Sequence, residues 1–168
     1  KRRGWPKTPI RPHNLTMVML GAGLLWFGWF GFNAGSAYAA DNTAAIAATN
    51  TLLATCAAGL AWLIVEKIRD KKATSLGAAS GIVAGLVAIT PACANVTPMG
   101  AILLGLVAGA VCAWAVTLKY KLGFDDSFDV VGIHLVGGLV GTLALGFLAS
   151  DLVEEGGQNG LLYGGDLN

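Results

Sequence analysis

Charged side chains are scarce in this sequence. Of its 168 residues, 12% are charged and 55% are hydrophobic, and the mean hydropathy is +0.64. A soluble domain carries about 25% charged residues, so this chain has too little polar surface to be covered by water. The composition therefore predicts a protein that is largely surrounded by lipid.

Cysteine is also rare. Cys56, Cys93 and Cys112 are far apart and odd in number, and the sequence contains no C-x-x-C pair. This argues against a disulfide framework or a zinc site, and small buried thiols are the simpler interpretation. We also find no P-loop, dinucleotide fingerprint or nucleic-acid-binding motif. We therefore predict no metal, no cofactor and no nucleic-acid partner.

Lysine and arginine are absent from most of the chain. All eleven lie in three clusters, within residues 1–11, 67–72 and 119–121. Long apolar runs separate and follow the clusters, and about 20 helical residues suffice to cross a hydrocarbon core roughly 30 Å thick. We predict an all-α membrane protein with five spans, at about 15–38, 43–65, 74–91, 99–118 and 130–149.

The basic clusters also predict an orientation. Five crossings place all three clusters on one side, while segments 39–42, 92–98 and 150–168 on the other side contain no Lys or Arg. By the positive-inside rule the basic side is cytoplasmic, and 150–168 is an extracytoplasmic loop. We predict a multi-pass protein of the cell membrane, in which the basic clusters need no further explanation.

Residues 1–39 also resemble a signal peptide, with a basic start, an apolar middle and "SAYA" before "ADN". The apolar stretch is too long for that interpretation, and four further apolar spans follow it. We therefore interpret residues 15–38 as a membrane span.

Glycines recur at four-residue spacing in three of the predicted spans. Helices in lipid associate through small residues that let their backbones approach closely, so this spacing predicts a tight bundle. The glycines concerned are Gly77, Gly81 and Gly85, then Gly105 and Gly109, and finally Gly137 and Gly141.

His134 lies inside the last apolar run, in "DVVGIHLVGG". On a regular helix, Gly137, Gly138 and Gly141 fall within about 60° of its direction, so the ring is expected to face a neighbouring helix or a cavity. An imidazole there has two interpretations: a packed residue hydrogen-bonded to another helix, or a polar station in a conducting path or active site. Ionisable groups inside a membrane are expensive to bury, which favours the functional interpretation.

Three longer motifs resemble the Amt/MEP/Rh ammonium transporters across nearly the whole chain. They are "GLLWFGWFGFNAGSA" at 23–37, "GAASGIVAGLVAITPACA" at 77–94 and "DDSFDVVGIHLVGGLVG" at 125–141, and "PHN" at 12–14 fits as well. The resemblance implies a fold of about eleven transmembrane helices, built from two five-helix halves of inverted topology. This chain is similar to the second half, from the loop after the fifth helix to the end of the tenth.

The resemblance implies a transporter rather than an enzyme. Ammonium would be recruited outside the membrane and deprotonated, and ammonia would pass through an apolar pore lined by a pair of histidines. The implied partners are ammonium and ammonia, the lipid bilayer, two further copies in a homotrimer, and a PII-type signal protein on the cytoplasmic face.

Seven residues match positions that have roles in that family. The resemblance makes His134 the second of two pore histidines, Phe32 one of two stacked gate phenylalanines, and Ser36 part of the site that recruits ammonium. Trp29, Thr90 and Val130 would line the pore, and Asp126 would organise the cytoplasmic end of the last helix. The partner histidine, the other gate phenylalanine, the recruiting tryptophan and a buried aspartate belong to the first half of the family fold.

The residues alone also allow structural interpretations. Trp26, Trp29 and Phe32 form an aromatic stripe at spacing three, which is typical of helix packing or an interfacial belt. Asp125 would serve as the N-cap of the last span, with Asp126 and Asp129 in its favourable first turn.

Two other functions remain open at this stage. Ser80 in "GAASG" and His134 in "GIHLVGG" are similar to the dyad of a rhomboid-type intramembrane serine protease, although the glycine before the serine is displaced by one residue. A protein of the ammonium-transporter fold can alternatively serve as an ammonium sensor.

Overall fold

The computed structural model describes residues 4–6, 11–153 and 157–166. These residues are mainly helical, and they contain no β-strand apart from an isolated bridge between Val96 and Ala149. The helices are α1 (Leu15–Asn33), α2 (Asn42–Asp70), α3 (Ser75–Ile89), α4 (Pro98–Ala115), the short α5 (Leu118–Leu122) and α6 (Val136–Leu148). A π-helical turn, Val131–Leu135, leads into α6, and 3-10 turns cover Gly35–Ala37 and Leu161–Tyr163.

A main helix lies at each of the five predicted spans, although α2, at Asn42–Asp70, is longer than the predicted 43–65. Four helical segments are long and apolar enough to cross a membrane: Leu15–Ala37, Asn42–Asp70, Pro98–Leu122 and Val131–Leu148. The exception is α3, whose 15 residues rise about 22 Å, and a series of turns at residues 90–95 continues it. The all-α class with five main helices is confirmed.

Polar side chains begin four of these helices. In each case a side-chain oxygen accepts a hydrogen bond from a backbone N–H three residues later, which satisfies a donor that the helix leaves unpaired. The pairs are Asn14 with Met17 (3.1 Å), Asp41 with Ala44 (2.9 Å), Thr74 with Gly77 (2.9 Å) and Thr97 with Gly100 (3.1 Å).

Glycines bring α3 and α4 against α2. Gly105 and Gly109 of α4 lie directly on the backbone of Ala54 and Ala58, and a Cβ at either glycine would overlap it. On α3, Gly85 meets the backbone of Thr55 in the same way. The tight bundle predicted from the glycine spacing is confirmed, with α2 at its centre.

The other two main helices cover less of this core. In α6, Gly137 lies against Cys112 and Val87, and Gly141 lies on the carbonyl of Ala88, so this helix packs on α3 and α4. In the segment that contains α1, only 6% of the 18-residue apolar stretch is buried, whereas 50% of the corresponding stretch of α2 is buried. One side of α1 and one side of the π turn and α6 are therefore left uncovered by this chain.

The described part of the predicted 150–168 loop folds back on the helix ends. Ser150 N donates to Asn95 O (2.9 Å), and Gly160 N donates to Ala149 O (2.9 Å). Residues 154–156 and 167–168 of this loop, like the basic residues at 1–3 and 7, lie outside the described residues.

The view that the basic clusters serve orientation alone is wrong for Lys119. Its side chain is only 9% exposed, and Nζ donates to Asp129 Oδ1 (2.5 Å) and Asp126 O (3.0 Å). A buried ammonium needs such partners, because desolvating an unpaired charge is expensive. Hydropathy and charge sign along a sequence do not show which basic side chain is folded inward.

Candidate functional site

A hydrogen bond connects two of the predicted pore residues. The indole Nε1 of Trp29 donates to Thr90 Oγ1 (2.8 Å), and the Thr90 hydroxyl donates to Leu86 O (2.7 Å). Trp29 lies on α1 and Thr90 caps the end of α3, so the bond joins two helices through residues that are 61 positions apart in sequence. The threonine thereby fixes the edge of the indole ring.

Phe32 stands beside that indole. The two ring centroids are 5.8 Å apart and the planes meet at 65°, an edge-to-face arrangement. Phe32 is 62% exposed on the uncovered side of α1. Both rings line an open apolar cavity of about 420 Å³, together with Gly21, Leu24, Leu25 and Gly28. Aromatic faces in such a position can attract a cation.

Ser36 lies in the 3-10 turn just beyond Phe32. Its hydroxyl donates to Phe32 O (2.6 Å), which leaves the lone pairs of the hydroxyl oxygen available to accept a hydrogen bond. Ser36 and Thr90 also line a second cavity, of about 220 Å³, whose other polar residues are Asn33, Thr43 and Asn95. The structure thus brings Trp29, Phe32, Ser36 and Thr90 together, and we call these four residues the aromatic cluster.

Asn33 is a polar residue of this region that the sequence analysis missed. It is 6% exposed, and its Nδ2 donates to Thr51 Oγ1 (2.9 Å), whose hydroxyl donates to Ala47 O (2.6 Å). The bond joins the end of α1 to α2 beside the second cavity. The sequence did contain a signal for this bond, namely the single amide at the end of "FGWFGFN". A buried amide nearly always has a hydrogen-bond partner, so a partner on a neighbouring helix could have been expected.

His134 lies in the π turn. Its neighbours Gly132 and Ile133 are buried, and Gly132 lies directly against Val116, the residue that caps the end of α4. The His134 side chain is exposed on the uncovered face, and no heavy atom would meet a Cβ at Gly138 within 4 Å. We expected His134 to share a packed face with Gly137, Gly138 and Gly141, and this holds only in part. Gly137 and Gly141 are packed against other helices, whereas His134 and Gly138 lie on the uncovered side of the same helix surface.

Asp126 caps this segment. Its carboxylate accepts hydrogen bonds from the backbone N–H groups of Val130 (3.0 Å) and Val131 (2.8 Å). The N-cap position of the π turn is Val130, so the interpretation of Asp125 as the N-cap was wrong. Val130 itself is 49% exposed, on the same uncovered side as His134.

Asp129 occupies a left-handed backbone conformation, with φ of +57°, between the cap and the π turn. Burial raises the pKa of the Asp129 carboxyl, and the ion pair with Lys119 opposes that shift. The ion pair with Lys119 thus offsets part of the cost of burying the Asp129 carboxylate.

The predicted site residues form two groups at different depths. Gly137, one turn after His134, meets α3 at Ala84 and Val87, whereas the aromatic cluster meets it at Thr90. Ala84 and Thr90 are six residues apart, which corresponds to about 9 Å along a helix axis. In the described residues no hydrogen bond or ring contact joins His134 to the aromatic cluster, and no three His, Cys, Asp or Glu side chains could hold a metal ion.

Comparison with known proteins gives consistent matches over most or all of the chain. The model of the Ammonium Transporter Family matches residues 1–168. An ammonium transporter of Mycobacterium tuberculosis is 62% identical over 98% of this chain and 36% of its own length. The crystal structure of Saccharomyces cerevisiae Mep2 has a TM-score of 0.81 and 44% identity, over 85% of this chain and 32% of that one.

A solved structure described as a sensor Amt protein is also similar. It has a TM-score of 0.79 and 35% identity, over 84% of this chain and 35% of its own. The chain therefore spans about a third of the length of the proteins that it matches. Because the family model covers the entire sequence and the fold agrees, this chain belongs to the ammonium transporter family.

Proposed function

We propose that the intact protein transports ammonium across the cell membrane, with ammonia as the species that crosses the apolar part of the pore. The match of the family model to residues 1–168 carries this proposal. Phe32 of the aromatic cluster and His134 support it, because both are exposed on sides of the chain that its own helices leave uncovered. Transport paths in proteins built from inverted repeats lie between the repeats, where such surfaces are expected.

The aromatic cluster has the chemistry to select ammonium. Ammonium and potassium ions are similar in size, so a pore must use another property to distinguish them. Ammonium donates hydrogen bonds and is attracted to aromatic faces, and Ser36 Oγ together with the rings of Trp29 and Phe32 provides both contacts. We assign recruitment to Ser36 and closure of the entrance to Phe32, with Trp29 and Thr90 in the wall.

Below the entrance, an apolar lumen rejects ions. An ion that loses its water without replacement ligands is strongly disfavoured in an apolar channel, whereas neutral ammonia is not. Ammonium must therefore release its proton before ammonia passes. His134 lies on the uncovered face, further along the bundle than the aromatic cluster. A neutral imidazole can accept a hydrogen bond at one nitrogen and donate one from the other. We assign it the role of holding ammonia in the pore, with Val130 further along the wall.

The charge distribution supports an orientation in the membrane, and the family resemblance implies the partners. We place the basic clusters in the cytoplasm and residues 150–168 outside, because no Lys or Arg occurs in the latter. We further propose a homotrimer, and a PII-type protein as a partner at the basic face. Membership of a transporter family argues against the protease alternative built on Ser80 and His134.

Sensing is a second candidate, because the fold also matches a sensor Amt protein. A transporter moves ammonium in a purified system, whereas a pure sensor binds it without net flux. We expect the intact protein, reconstituted into vesicles, to carry ammonium inward down its gradient and to exclude potassium. Binding without flux would favour the sensor.

The same assay tests the pore residue. His134→Ala should abolish ammonium-selective transport, while His13→Ala, which changes the other histidine of the sequence, should leave it intact. Unchanged uptake with unchanged preference over potassium in His134→Ala would remove His134 from the pore.

A further inference from the structure

Lys119 is buried at the cytoplasmic end of the bundle in a dense set of contacts. Besides its bonds to Asp129 and Asp126, its Nζ lies 5.3 Å from the ring centroid of Tyr120 and 6.0 Å from that of Trp5. These two rings stack on each other, with centroids 5.3 Å apart. A lysine that served only to orient the protein in the membrane would need none of these contacts. These contacts therefore indicate a structural role of Lys119.

Both acceptors of Lys119 belong to the segment that begins the π turn. Asp126 accepts through its backbone oxygen, while its carboxylate caps Val130 and Val131. Asp129 accepts through its carboxylate, while its backbone oxygen accepts from Ile133 N (2.8 Å). Ile133 is the residue before His134. The path from the Lys119 side chain to the His134 backbone thus consists of the hydrogen bond to the Asp129 carboxylate, Asp129 itself, the hydrogen bond from Ile133 N and one peptide unit.

The backbone at Asp129 needs to be held in place. A left-handed φ is uncommon for a residue with a side chain, and such a conformation persists where surrounding contacts determine it. Within the described part of the chain, the ion pair with Lys119 is the charged contact of the Asp129 side chain. A π turn is also a departure from the regular helix that occurs often at functional sites. Local changes at Asp129 are therefore expected to alter how the π turn presents His134.

We propose that Lys119 is a positioning residue for His134, which sets the π turn through Asp129 and Asp126. This inference rests on the proposed function, since it requires His134 to line the ammonium pore. Lys119 lies outside the pore and does not contact the substrate. It determines where the imidazole lies, and a small displacement of such a group has a large effect on its function.

Two variants remove the contact from opposite sides. Lys119→Met removes the ammonium group and retains a chain of similar length. Asp129→Asn removes the carboxylate charge, and asparagine tolerates the left-handed conformation at that position. Lys119→Arg keeps the charge and tests rescue. Lys121→Met is the matched control, because it removes an exposed positive charge two residues away on α5.

The variants are made in the intact transporter and reconstituted into vesicles, and rates are expressed per folded molecule. We expect Lys119→Met and Asp129→Asn to lower ammonium transport about tenfold or more, and Lys119→Arg to retain most of it. The second readout is the ¹⁵N spectrum of histidine-labelled protein, in which His134→Ala identifies the His134 signals. Both variants should shift those signals, and Lys121→Met should affect neither rate nor spectrum.

Three results would overturn the inference: unchanged rates, lowered rates with unmoved His134 signals, or a loss of folded protein with normal rates in what remains. If Lys119→Met does not fold, Asp129→Asn decides alone. Loss of transport in His134→Ala with normal transport in both variants would reject the positioning role and keep the pore. Normal transport in His134→Ala would reject the pore itself.

Discussion

The Nε1 of Trp29 and the Oγ1 of Thr90 are 2.8 Å apart, in a hydrogen bond that joins α1 to the end of α3. Only 6% of the 18-residue apolar stretch of this segment is buried, and a second side-chain hydrogen bond joins Asn33 at the end of α1 to Thr51 of α2. These two polar links therefore have unusual weight in placing Trp29 and the adjoining Phe32. The position of the indole ring depends on the hydroxyl group of Thr90.

Thr90→Val tests that link. Valine has nearly the shape of threonine but cannot accept the indole hydrogen bond, and leaving a part-buried donor unpaired costs about 1–3 kcal/mol. We expect slower ammonium transport and lower thermal stability in detergent. Thr90→Ser keeps the hydroxyl and is the matched control. Equal behaviour of the valine and serine variants would show that the bond has no role in placing the indole.

Phe32→Ala tests the entrance. The variant removes the ring packed edge-to-face on Trp29, and a cation–π contact is worth about 1 kcal/mol, or roughly fivefold in apparent affinity. We expect weaker apparent affinity for ammonium and less discrimination against potassium, measured by competition in vesicles. Phe27→Ala is the control, because Phe27 is 79% exposed on the same helix and does not line the apolar cavity. If the two variants behave alike, Phe32 is not a gate.

Much of the fold could be predicted from the sequence because it depends on local composition. Apolar length predicts spans, and the spacing of Gly105 and Gly109 predicts a close approach, since the absence of a Cβ is visible in the sequence itself. The four N-caps are likewise signalled by Asn, Asp or Thr before an apolar run. Such features need no knowledge of which helix lies beside which.

The site could be predicted only in part, because its contacts join distant segments. The resemblance identified Trp29 and Thr90, but not the bond between them across 61 residues. The burial of Lys119 was missed because a charge pattern records the side of the membrane and not the direction of a side chain. The π turn at His134 could not be predicted from the sequence. The spacing of apolar residues indicates a helix, but it does not show where one turn of that helix contains an extra residue.

Gly105→Ala tests the packing of α4 on α2. The new methyl group would overlap the backbone of Ala54, and overpacking of this kind costs about 1–3 kcal/mol. We expect a clearly lower midpoint of thermal unfolding in detergent. Gly59→Ala is the control, because the nearest atom to its new methyl group is Ile82 Cγ1 at 3.9 Å, an ordinary contact. Equal midpoints would mean that α2 and α4 separate at little cost.

Asp126→Ala tests the cap that precedes the π turn. The carboxylate accepts from Val130 N and Val131 N, and loss of a charged cap at a helix start costs about 1–2 kcal/mol. We expect faster backbone hydrogen exchange in residues 130–135, measured by mass spectrometry, together with slower ammonium transport. Ser127→Ala changes an exposed neighbour and should affect neither. If exchange in residues 130–135 is unchanged in the Asp126 variant, these residues keep their turn without the cap, and the slower transport expected from its loss has no structural basis.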